Sequence, residues 1–127
     1  MRKKIWTVIF TSVLLILLSV VEQKAVRTLT DEAMTQTQTI LRLLKSGQSE
    51  QGLEQARQMD TWWDEKAPMV EVLINHEATD DVRFTLSRLV AALEGEDCEE
   101  AIVFARELEG GIEHVLERQV LSLQNLL

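Results

Sequence analysis

Seventeen consecutive residues, Ile5 to Val21, carry no charge, and they follow directly on Arg2, Lys3 and Lys4. No feature of the chain limits its fold more. As a helix the run spans roughly 25 Å, close to the hydrocarbon thickness of a bilayer. Thr7, Thr11, Ser12 and Ser19 lie inside it, and hydroxyls of this kind can bond back to carbonyls of their own helix. Trp6 stands at the polar edge, and Ile9, Leu14 and Leu17 are among the residues expected to face lipid. The basic cluster before the run holds the N-terminus in the cytoplasm and sends the remainder across. A cleaved signal peptide shares the basic start and apolar run. Yet Glu22-Gln23-Lys24-Ala25 supplies neither an Ala-x-Ala pattern nor a lipoprotein cysteine, so the segment reads as an uncleaved anchor.

The chain thus divides into a basic cytoplasmic start (1–4), a transmembrane helix (5–21) and an extracytoplasmic acidic domain (22–127). That domain holds ten basic and 21 acidic side chains, a balance of −11 concealed in the overall −8. Such a charge repels phosphate backbones and argues against a nucleic-acid partner. Cys98 is the single cysteine, so there is no intramolecular disulfide and no thiol pair for zinc or redox chemistry.

With one Pro and five Gly in 127 residues, and Leu, Ala, Glu and Gln abundant, the expected class is all-α. Apolar residues recur in steps of three and four from Val26 through Leu29, Ala33, Thr37 and Ile40 to Leu44. No breaker separates this stripe from the anchor, so the first helix is expected to leave the membrane and continue to Lys45. Ser46-Gly47-Gln48-Ser49 stops it, with Gly47 near the expected C′ position. A second helix follows through Leu53, Ala56, Met59 (or Asp60) and Trp63, and Pro68 is expected to end it. A third runs from about Pro68 to Glu94 with the stripe Val70, Ile74, Ala78, Val82, Leu86, Leu89 and Leu93. After Gly95-Glu96, Asp97 is the expected N-cap of a fourth helix through Ala101, Ala105, Leu108, Ile112, Val115, Gln119 and Leu123, weakened at Gly110-Gly111. Short turns imply an antiparallel helical-hairpin bundle of about four helices. A shift of 49 residues lays Ile40 on Leu89, Leu44 on Leu93, Leu53 on Ile102, Ala56 on Ala105, Met59 on Leu108 and Trp63 on Ile112, an internal repeat of the hairpin.

The stretch His76-Glu77-Ala78-Thr79-Asp80-Asp81 comes nearest to a metal site. His76 and Asp80 are one helical turn apart with Glu77 beside them, and His114, Glu113 or Glu117 are candidates to approach from the fourth helix. A zinc-protease helix needs a second His where Asp80 stands, and two ligands do not close a site. A polar helix face or hydrogen-bond network is the plainer explanation of the stretch. Di-iron bundles need Glu-x-x-His units, which are missing, and two His alone make bis-His haem only a formal option. Ser87 and Ser122 have no glycine-rich elbow, and Cys98 sits among acids that disfavour its thiolate. No cofactor and no enzymatic activity are expected.

Trp62-Trp63 is unusual in a chain 5 % aromatic. Spacing puts Trp63 on the inner stripe and leaves Trp62 more exposed, available to a protein partner or the bilayer edge. Both tryptophans packed beneath the Pro68 turn is the plainer alternative.

Trp63-x-x-Lys66, then Leu73-Ile74-x-His76-Glu77-x-x-Asp80, Leu86-x-Arg88-Leu89 and the closing Leu121-Ser122-Leu123-x-Asn125-Leu126-Leu127 together resemble a bacterial domain-of-unknown-function family. Its members are small single-pass membrane proteins, mainly of spore-forming Gram-positive bacteria. The resemblance covers essentially the whole chain. It implies a helical extracytoplasmic domain, no known activity, and some importance for the His76-Glu77 run and the Asn125 tail. The expected function is a membrane-anchored, non-enzymatic helical module that binds another envelope or membrane protein or self-associates. The alternative is a ligand- or divalent-cation-sensing domain using the His76/Glu77/Asp80 face.

Overall fold

Residues 2–45 contain neither Gly nor Pro, and they form a single 44-residue helix, α1 (Arg2–Lys45). At 1.5 Å per residue it is roughly 65 Å long. A computed structural model describes residues 1–71 and 76–126, with side chains described except at 70 and 118–126. Three further helices follow, α2 (Ser49–Glu71), α3 (His76–Glu94) and α4 (Cys98–Leu126). The described residues are all-α, with a long apolar N-terminal helix.

α1 has two environments. Residues 1–21 are exposed throughout, whereas from Val26 onward one side is buried at the three-and-four spacing of an amphipathic helix. Within the apolar run, Thr7 donates to the Lys3 carbonyl at 2.8 Å, Thr11 to Thr7 at 2.7 Å and Ser19 to Leu15 at 2.9 Å. Those three hydroxyls are therefore satisfied inside the helix, as an apolar surrounding requires.

The four helices close into a ring in which α1 packs on α2, α2 on α3, α3 on α4 and α4 back on α1. Contacts between neighbours run in opposite chain directions: Thr37 meets Met59 across α1 and α2, while Arg57 meets Glu94 and Asp64 meets Arg83 across α2 and α3. The core lies inside the ring. Ile40, Met59, Trp63, Leu86, Leu89, Leu108 and Val115 are among its fully buried members, together with the small Ala33, Ala56, Ala101 and Ala105.

The hairpin turns repeat one hydrogen-bond pattern displaced by 49 residues. In the first, Gly47 N–H donates to Leu44 and Gln48 N–H to Leu43; in the second, Glu96 donates to Leu93 and Asp97 to Ala92. Both are Schellman closures, which need a left-handed residue at C′. Gly47 takes that position at φ +78° and Glu96 at φ +59°, so the second turn places a side chain where the first has none. Asp97 then caps α4, its carboxylate accepting the Glu100 N–H at 3.1 Å. Burial repeats as well: Thr30 matches Thr79, Ile40 matches Leu89, Ala56 matches Ala105 and Trp63 matches Ile112. Packing of α2 on α3 is the counterpart of α4 on α1, so the ring has an approximate two-fold relation between halves.

Pro68 differs from its expected role. It neither ends α2 nor begins α3; α2 passes through it and continues to Glu71. Proline deprives the Asp64 carbonyl of its helical donor, but Asp64 and Pro68 both lie on the exposed side, where water can replace that donor. On the other side Ala67 is fully buried, and that packing holds the last turn in place. Val70 therefore belongs to α2, and Ile74, expected on the third helix, lies outside the described residues.

Candidate functional site

Where α2 ends and α3 begins, a polar cluster gathers around Arg83. This guanidinium reaches three carboxylates: Nε to Asp64 Oδ1 at 3.1 Å, Nη1 to Asp80 Oδ1 at 3.3 Å and Nη2 to Glu71 Oε1 at 3.6 Å. On its other oxygen Glu71 meets His76 Nδ1 at 3.8 Å. The Asp80-Arg83 pair follows from i,i+3 helical spacing. Asp64 and Glu71 belong to the neighbouring helix, so Arg83 braces α2 to α3.

Asp60, one turn before Asp64, has its carboxyl pushed above the ordinary aspartate range. Partial burial is the largest cause and the Asp64 charge adds to it, while Arg83 pulls the other way. The group is thus acid-rich and organised about one cation. Its pairs are partly exposed, so each contributes modestly to stability.

His76 opens α3 and points outward, its side chain 75 % exposed. Glu77 is exposed, and Asp80 turns toward Arg83. The three lie on one short segment as their spacing implies, and one Asp80 oxygen, Oδ1, accepts from the Arg83 guanidinium. His114 is on the exposed side of α4. Among the described residues no group of three or more His, Cys, Asp or Glu is arranged to hold a metal ion. Arg83 was not singled out by sequence reasoning; its spacing from Asp80 was the available signal, and Asp64 and Glu71 join it only through folding.

The two tryptophans separate as their spacing implies. Trp63 is fully buried, so it has no surface to present, and its indole N–H is buried with no hydrogen-bond acceptor. Trp62 is half-buried, packed against the core on one side and open on the other. Their ring centroids are 6.2 Å apart with planes tilted by 52°, an edge-to-face type of contact. Beyond the first 21 residues, the large apolar side chains exposed among those described are Met69, Phe84 and Val103. They lie on three different helices.

The first 21 residues are of another kind. Trp6 is 70 % exposed, and Ile9, Leu14 and Leu17 are open along with every residue around them. α1 is the described helix long and apolar enough to cross a membrane, and none of its apolar window is buried against protein. A core helix of a water-soluble bundle would be mostly covered.

Cys98 is half-buried at the first turn of α4, its sulfur 3.9 Å from the Leu44 carbonyl of α1. This contact ties the start of α4 to the end of α1.

Neither the curated proteins nor the solved structures contain a match to this chain. A family model does match, over residues 20–126, covering the whole bundle and the last two residues of the apolar run. The chain therefore belongs to the family described as a domain of unknown function, DUF4363.

Proposed function

We propose that this is a single-pass membrane protein whose acidic helical bundle stands outside the cytoplasm and works by contact, binding another envelope or membrane protein or a second copy of itself. The observation that carries the reading is the uncovered apolar half of α1, continuous with the first helix of the bundle. Exposing that many large apolar side chains to water costs on the order of 1.5–3 kcal/mol for each side chain left uncovered. A bilayer removes that cost, and Arg2, Lys3 and Lys4 orient the helix with its N-terminus in the cytoplasm. Because α1 has no break, the bundle is coupled rigidly to the span. For the partner contact, Trp62 is the natural anchor, since part of its aromatic face is open at the surface of α2.

The test is the mass of the full chain solubilised in mild detergent, measured by light scattering, with Trp62→Ala alongside. A defined oligomer or stoichiometric complex that weakens with Trp62→Ala is expected. A monomer without partner, unchanged by the substitution, would overturn the contact reading.

A further inference from the structure

α4 outgrows the bundle it belongs to. It has 29 residues, against 23 for α2 and 19 for α3. Cross-contacts give its register. A Cβ at Gly111 would lie 3.7 Å from Val82 Cγ2, so moving along both helices places His76, the first residue of α3, opposite Glu117. The helix still has residues 118–126 to run, roughly 13 Å past the start of α3.

Register against α1 shows where this overhang goes. Cys98 sits beside Leu44, and the two helices run in opposite directions. Equal rise then brings Arg118 level with Lys24 and Leu126 level with Ile16. The end of α4 is therefore at the height of the last turns of the apolar run, Ile16–Val21.

Composition changes at the same point. Arg118 is the last charged side chain, and Gln119-Val120-Leu121-Ser122-Leu123-Gln124-Asn125-Leu126-Leu127 has none. Five of these nine are Leu or Val in a chain that is 27 % charged. A charged side chain at that height would be costly. The amides of Gln119, Gln124 and Asn125 are costly to bury in hydrocarbon and favour water or headgroups. That combination suits the interfacial layer.

Resting on the anchored reading of α1, we propose that the end of α4, residues 119–126, is a second membrane-contacting element that lies in the outer interfacial layer of the same bilayer. Two attachments, one spanning and one interfacial, then set the bundle upright. The hairpin turns at Gly47 and Glu96 face away from the membrane and the Arg83 cluster lies near its surface.

Depth measurement by spin labelling tests this on the full chain in phosphatidylcholine vesicles. With Cys98→Ser as background, nitroxides are placed at Leu123→Cys, at Gln124→Cys as a polar second site, at Val13→Cys in the span and at Gln48→Cys in the distal turn. The expected ratio of oxygen to nickel-chelate accessibility is highest at Val13, several-fold above Gln48 at both tail sites, and lowest at Gln48. Tail labels as water-accessible as Gln48, with Val13 in lipid, would overturn this inference and leave the anchor intact. A water-accessible Val13 label would overturn the anchor and the inference together.

Discussion

The two hairpin turns differ at one backbone position, and that difference has a measurable consequence. Gly47 and Glu96 occupy the same C′ site with the same hydrogen bonds, at φ +78° and +59°. A Cβ in the left-handed region costs about 1–2 kcal/mol, a penalty glycine does not carry. Glu96→Gly removes that strain. It also frees the unfolded chain, which offsets about 0.4–1 kcal/mol. The net expectation is a gain of about 0.5–1 kcal/mol, a rise in midpoint of a few degrees for a bundle of this size. Gly47→Ala is the mirror experiment. Nothing lies within 4 Å of the added Cβ, so any loss comes from the backbone alone. It should lower stability by about 1 kcal/mol. Thermal and chemical melts of the full chain in mild detergent, followed by circular dichroism, read both changes. Glu96→Gln separates the charge contribution, because it keeps the Cβ and removes the carboxylate. If Glu96→Gln raises the midpoint as much as Glu96→Gly, the gain is electrostatic and the backbone argument fails. Equal midpoints for Glu96→Gly and the parent, beside a destabilised Gly47→Ala, would refute the equivalence of the two turns.

Three more outcomes follow from the packing. Gly110→Ala, with open space around it, and Gly111→Ala, whose Cβ would meet Val82 at an ordinary 3.7 Å, should each stabilise α4 by about 0.5–1 kcal/mol in urea titrations. Gly52→Ala should show no such gain, because its Cβ would fall 2.8 Å from Leu44 Cδ2 in the core. Trp63→Ala should cost about 3–5 kcal/mol by opening a cavity, and Trp63→Phe much less, since it also removes an N–H that has no acceptor; equal losses would deny the N–H any role. For Asp60 the folded carboxyl holds its proton more tightly than the unfolded one, so its contribution to stability is present at low pH and lost as pH rises through the shifted value. Asp60→Asn should therefore raise the midpoint at pH 7 relative to the parent, with the difference shrinking in acid. A pH-independent difference would reject the burial explanation.

Much of the architecture was legible in local sequence because its causes are local. Helix periodicity, the stop at Gly47, the cap at Asp97 and the inner place of Trp63 depend on residues within one or two turns of each other. The internal repeat was visible for the same reason, since each half carries its own turn and its own stripe. Pro68 misled because its usual effect is also local, and here the burial of Ala67 against the other helices outweighed it. The candidate site divides in the same way. His76, Glu77 and Asp80 share a segment by spacing, whereas Arg83 becomes its centre only because Asp64 and Glu71 arrive from the neighbouring helix.

That this chain is helical, acidic, punctuated at two turns and headed by an uncharged apolar run can be read residue by residue. Periodicity, charge and backbone preference act along the chain, so they need no fold to be read. The closing of the ring by α1 and α4, the bracing of α2 to α3 by Arg83 and the burial of the Trp63 indole N–H without an acceptor emerge only on folding. Those facts depend on distances between residues far apart in sequence, which packing alone sets.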